Sequence, residues 1–148
     1  MTKAGIKKPN IWLTVKICEA TFKQFKSSLD FDEPIPPFEE RFPNKLEGIL
    51  ESTKQTFDKK LLNPSVVDAC TAYFNNIVRG HPFRNGNKRL AVLFTHVFIL
   101  LNDYDIKLSY KAMYNLALLV ANYSEKGLSA ENTKLGCRRI FEKYITTC

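Results

Sequence analysis

Glycine is scarce in this chain, 6 among 148 residues, and proline numbers only 7. Collagen-like and low-complexity readings are therefore excluded. Two histidines and four cysteines are present, the latter scattered at Cys18, Cys70, Cys137 and Cys148 with no CxxC pair. That spacing excludes the usual structural zinc sites. No apolar run approaches the roughly 20 residues of a membrane span; the longest, Leu90 to Leu101, is interrupted by Thr95 and His96. The start is basic (Lys3, Lys7, Lys8), but Ile11 to Val15 is too short for a signal-peptide core and Lys16 interrupts it. No internal repeat is found. A cytoplasmic protein with reduced thiols, away from membranes, is expected.

Carboxylates are the minority charge, 15 against 22 Lys and Arg, for a net +7. The excess favours an anionic partner such as a nucleotide, a nucleic acid or an acidic protein, although a basic surface also serves solubility alone. With 45% hydrophobic residues the chain has enough apolar material for one self-supporting core.

Apolar periodicity predicts an all-α bundle of about six helices. Trp12, Val15, Cys18, Phe22, Phe25 and Leu29 recur at helical steps over Asn10 to Leu29. Three prolines exclude helix from Asp30 to Pro37. Phe38 to Phe42 alternates enough for one short edge strand, a β flap before the second helix. The second helix follows Pro43, with Leu46, Ile49, Leu50 and Phe57 on one face, and Thr56 to Lys60 reads as a loop. Asn63 and Pro64 suit an N-cap and first helical position, opening a helix that runs to Arg79 and ends at Gly80. After a loop from His81 to Gly86, a helix apolar almost all round spans Asn87 to Asn102 and is expected at the buried centre. Ser109 and Ser129 are suitable caps for helices reaching Tyr123 and Tyr144.

The chemistry-bearing stretch is His81-Pro82-Phe83-Arg84-Asn85-Gly86-Asn87-Lys88-Arg89. A histidine leaves one helix, and a polar turn containing glycine opens the next. A helix start offers unpaired N–H groups and partial positive charge. Gly86 permits close backbone approach, the Asn87 amide supplies a donor, and Lys88 and Arg89 add cations. The combination is a phosphate cradle with His81 across it as a proton acceptor. Residue types alone favour a capped helix start with a surface histidine, since Asn-Gly turns are common.

The whole string resembles the Fic/Doc (Fido) motif HxFx(D/E/N)(G/A)N(G/K)R at every constrained position. Pro37 to Pro43 with Leu46 to Leu50 is similar to the family's flap and following helix. Leu100 to Tyr104 resembles the end of its central helix, and Tyr114 to Asn122 the helix after it in Doc-like members. The resemblance implies an N-terminal helix over 1–30 and a Fido domain over 31–148, with its core at about 36–123, in one compact unit.

It further implies that His81 is the general base toward a protein hydroxyl and that Phe83 anchors the loop. Gly86, Asn87, Lys88 and Arg89 would bind the phosphates of ATP. Asn85 stands where the family places an acidic Mg²⁺ ligand; an amide oxygen ligates without formal charge and so more weakly. Arg84 is expected in solvent. Lys88, with Val92 where AMP-transferring members carry a further arginine, matches the Doc branch, also called death-on-curing. There the γ-phosphate faces the acceptor, and the product is a phosphorylated Ser or Thr. AMP transfer to Ser, Thr or Tyr and a non-catalytic binding module are the alternatives.

Ile35, Phe38, Glu39, Arg41 and Phe42 would form the flap that pairs with an extended target segment, or else a proline-rich connector. Glu47-Gly48 lacks the upstream Ser or Thr of the family's autoinhibitory motif, because Pro43 stands there. Control by a separate antitoxin protein, in a toxin acting on translation, is the implied arrangement. His96 is expected to be a satisfied core histidine. Lys134, Arg138, Arg139 and Lys143 form a solvated basic face, and no nucleic-acid partner is expected.

Overall fold

The computed structural model describes residues 6–29 and 33–148. Lys3 of the basic start and Asp30 to Asp32 of the proline-rich stretch lie outside those residues. Six helices form the body: α1 (Val15–Leu29), α2 (Lys45–Thr53), α3 (Val66–Gly80), α4 (Asn87–Leu101), α5 (Tyr110–Ala121) and α6 (Ala130–Tyr144). Two antiparallel ribbons accompany them. In one, β1 (Thr56–Phe57) pairs with β2 (Lys60–Leu61); in the other, β3 (Tyr104–Ile106) pairs with β4 (Ile145–Thr147). The fold is an all-α bundle with only short strands. Among the described residues no helix is long and apolar enough to cross a membrane.

α3 is the most enclosed element. Tyr73, Phe74 and Ile77 are fully buried, and α2, α4, α5 and α6 all pack on it. Each large side chain sealed there stabilises by about 1.5–3 kcal/mol. Ser109 and Ser129 cap as the sequence suggests, accepting from the N–H of Ala112 and Asn132 at 3.1 and 3.0 Å.

Several boundaries differ from expectation. α1 starts at Val15, not Asn10, because Thr14 caps it (Ile17 N–H to Oγ1, 3.1 Å). The residues before it form a strap: Asn102 Oδ1 accepts from the N–H of Asn10 and Ile11 at 2.8 and 3.1 Å, and the Asn102 amide donates to Ile11 O. Phe25 is half-exposed instead of buried. α3 opens at Val66, two residues beyond Pro64, since Ser65 Oγ accepts from Asp68 N–H, while the Asn63 amide bridges back to Thr53 O. Phe57 does not extend the face of α2. It is 76% exposed on β1, where Asp58 and Lys59, both at positive φ, turn the chain tightly. α4 is not buried all round: Leu100 is 43% exposed.

The segment before α2 carries no paired strand among the described residues. It runs extended from Glu33 and makes one 3₁₀ turn at Phe38–Glu40, in place of the edge strand expected over Phe38 to Phe42. An edge strand needs a neighbouring strand, and both ribbons form elsewhere. Aromatic packing holds the segment instead. Phe38 lies 5.5 Å from Phe22 of α1 and 5.8 Å from Phe83, whose ring is also 6.0 Å from Phe94 of α4.

Candidate active site

The nine-residue string spans the end of α3, a tight loop and the first turn of α4. His81 caps α3 in the left-handed region (φ 47°, ψ 59°). The residue is exposed, and among the described residues nothing hydrogen-bonds its ring. Phe83 is 3% exposed within the aromatic cluster, which ties the loop to α1, the flap and α4.

Gly86 caps α4 at φ 79°. The first intrahelical bond runs from Leu90 N–H to Gly86 O, so the N–H groups of Asn87 and Lys88 head the helix ahead of the ladder. A depression of about 140 Å³ opens at this end, lined by Asn85 to Arg89 together with Glu33 and Tyr114. Small-molecule pockets run to roughly 300–1,000 Å³, so this one has room for phosphate and not for a whole nucleotide. Lys88 is partly exposed on its wall. Glu33 and Tyr114 carried no sequence signal as lining residues. Glu33 arrives by the path of the flap, and Tyr114 by the rotation of α5.

Two expected phosphate ligands are engaged in building the loop. The Asn87 amide donates to Phe83 O at 2.8 Å and its Oδ1 accepts from Phe83 N–H at 2.9 Å. Its side chain therefore closes the turn like a short ladder rung and does not face the depression as a donor. Arg89 is 3% exposed and its Nη1 donates to Glu33 O at 2.7 Å and to Leu29 O. A buried guanidinium needs acceptors, and it finds them where α1 hands over to the flap. Asn85 Oδ1 accepts from Gly86 N–H at 2.8 Å, and its amide reaches Pro34 O at 3.4 Å.

The flap lies across the same loop. Phe42 N–H donates to Pro82 O at 3.0 Å, and the Arg84 Nε–H to Glu40 O at 2.8 Å. The Arg84 guanidinium also covers the Phe42 ring at 4.5 Å, so this exposed side chain, in solvent as expected, also latches the flap to the loop. Ile35 and Phe38 are buried, which leaves Glu39, exposed, and the partly exposed Arg41 and Phe42 as the outward face of the flap. Arg41 pairs with Glu47 of α2 at 2.9 Å. That guanidinium, after a backbone N–H of Glu47 itself, holds the Glu47 carboxyl below its ordinary range. Beside the depression, burial pushes the Tyr110 phenol up to about 12, with the Arg89 charge opposing.

A family model described as the Fic/DOC family matches residues 13–99. The chain belongs to the Fic/DOC family. The Fic/DOC match runs from Leu13, at the end of the strap, through α1, the flap, α2, α3, the motif loop and nearly all of α4; members of the family are typically transferases. No curated protein matches the chain.

Other candidates resolve as structural. His96 is half-exposed on α4, not in the core, and its Nε2 lies 3.1 Å from Asp105 Oδ1. Arg138 leaves the expected basic face: it holds Asp68 of α3 at 2.7 Å and Glu142 at 3.1 Å, tying α6 to α3. Among the described residues no group of three His, Cys, Asp or Glu is placed to hold a metal ion.

Proposed function

We propose that this Fic/DOC protein is a Doc-like kinase: it transfers the γ-phosphate of ATP to a Ser or Thr hydroxyl of a target protein. One observation carries the reading. An exposed imidazole with no hydrogen-bond partner among the described residues stands one short loop from a helix start that is lined by backbone N–H groups and Lys88.

In this reading His81 accepts the proton of the target hydroxyl as its oxygen bonds to the γ-phosphorus. The bond to the bridging β–γ oxygen breaks and ADP leaves. The first turn of α4 and Lys88 hold the phosphates and offset the charge that develops in the transfer. Asn85 Oδ1 and the Glu33 carboxylate are among the side-chain oxygens of the residues that line the depression. They suit a hard cation held through one or two protein ligands plus phosphate. Mg²⁺ bound there would screen phosphate charge. Because the depression is phosphate-sized, the nucleoside lies outside it, and the flap residues 33–36 shift to admit the chain of three phosphates. Lysine at position 88 and the buried Val92 favour phosphate over AMP as the transferred group. A cytoplasmic toxin held by an antitoxin protein is the setting that follows from the Doc branch.

Incubation with ATP, Mg²⁺ and cell lysate, followed by intact-mass measurement of the modified proteins, tests the proposal. A phosphoryl adduct lost about 10²- to 10⁴-fold in rate on His81→Ala is the expected result. An AMP adduct would reassign the chemistry to nucleotidyl transfer. No adduct, with the biological effect kept in His81→Ala, would leave a binding module.

A further inference from the structure

A larger cavity than the phosphate depression lies elsewhere among the described residues. It is a cleft of about 560 Å³ between α2 and the end of α3, lined by Asn44, Lys45, Ser52, Asn76, Arg79 and Gly80, with Gly48 and Ile49 as its apolar part. It is wide and open to solvent, the shape of a surface groove and not of an enclosed pocket. Gly80 is the residue before His81, so the cleft begins one Cα step, about 3.8 Å, from the imidazole-bearing residue. On the other side of His81 the loop leads to the depression at Asn85 to Arg89. Along the chain, His81 thus lies between residues that line the larger, unassigned cleft and those that line the phosphate-sized depression.

The charge of the cleft has one sign. Lys45 and Arg79 line it and no carboxylate does. Neither cation is paired with a carboxylate among the described residues; each lies over an aromatic ring instead. Lys45 Nζ is 4.8 Å from the centroid of Phe42, and the Arg79 guanidinium is 5.4 Å from that of Tyr123. Arg41 and Arg138, by contrast, are neutralised by carboxylates. An aromatic face orients a cation while leaving its N–H donors available to an incoming anion. Around them Asn44, Ser52 and Asn76 add neutral hydrogen-bonding groups. At the floor, a Cβ built on Gly48 meets nothing within 4 Å, so the helix surface is bare where a ligand would lie.

We infer that this cleft receives an acidic segment of the acceptor protein, placing Asp or Glu side chains of the target against Lys45 and Arg79 while a hydroxyl a few residues away reaches His81. The inference rests on the transferase reading for the role of the hydroxyl, and on charge and shape alone for the acidic segment. It assigns the substrate class as Ser or Thr sites flanked by carboxylates.

Binding without nucleotide tests it separately from transfer. Three fluorescein-labelled serine peptides, flanked by Glu, by Gln or by Lys, are titrated with the full chain and followed by anisotropy. The Glu peptide should bind at least tenfold tighter than the Gln peptide. Lys45→Ala/Arg79→Ala should remove that preference, and Gly48→Trp, which fills the cleft without changing charge, should do the same. Lys107→Ala/Lys143→Ala, an equal loss of charge near the β3–β4 ribbon, should preserve it. Equal affinity for the Glu and Gln peptides would overturn the inference, as would a preference that survives both cleft variants. Selective Glu-peptide binding by a protein that modifies nothing in lysate would keep the acidic site and remove the transferase. Transfer in lysate with no peptide preference would do the reverse.

Discussion

The side chain of Ile35 stands where a Cβ on Gly86 would be: its Cδ1 and Cγ1 are each 2.7 Å from that position. The flap therefore rests directly on the turn that opens α4. The contact exists because residue 86 has no side chain and adopts φ 79°. The flap and the turn that opens α4 are one packed unit.

Gly86→Ala should disturb both. Left-handed backbone costs a residue with a Cβ about 1–2 kcal/mol, and the new methyl must displace Ile35. A melting temperature several degrees lower by circular dichroism, with weakened phosphate binding, is expected. An unchanged melt would show that the flap yields without cost.

Asn87 links the two ends of the motif loop through the backbone of Phe83. Asn87→Ala leaves a buried N–H and a buried carbonyl without these partners, at about 1–3 kcal/mol for each orphaned group. Asn87→Asp keeps an acceptor for Phe83 N–H and loses the donor, so it should fall between wild type and alanine in urea melts. Full stability of both variants would remove the structural role assigned to this amide.

His81 occupies left-handed space that glycine enters more readily. His81→Gly should be as stable as wild type or more so, by up to about 1 kcal/mol, while transfer is lost. Stability and catalysis would then move in opposite directions at one position. A destabilised His81→Gly would mean that the imidazole packs in a way its exposure does not suggest.

Acid should loosen the flap through Glu47. Its carboxyl is held below the ordinary range by its own backbone N–H and by Arg41. A depressed value means that the folded chain binds fewer protons than the unfolded one. The contribution is thus present above the usual glutamate pKa and is lost as pH falls through the folded value. Comparing urea midpoints at pH 7 and pH 3, Glu47→Gln should lose less stability on acidification than wild type. Parallel acid losses would exclude the Arg41–Glu47 pair as a contributor.

Much of the helical body was legible in the chain. Ser109 and Ser129 signal their helix starts through a local hydrogen bond that any isolated segment would make. Phe57 was misplaced for the same kind of reason: its spacing continues the face of α2, but the Asp58–Lys59 turn takes it away. That turn lacks the glycine which usually marks it.

Local pattern determined that a histidine, a glycine turn and two cations would sit around the start of one helix, because those residues are neighbours along the chain. Only tertiary packing decided which of them face a ligand. Arg89 is turned inward to the carbonyls of Leu29 and Glu33, 60 and 56 positions away, and Asn87 is consumed by the loop it belongs to. Whether a polar side chain is free or engaged depends on which acceptors folding brings within about 3 Å of it. Separation in sequence carries no record of that distance.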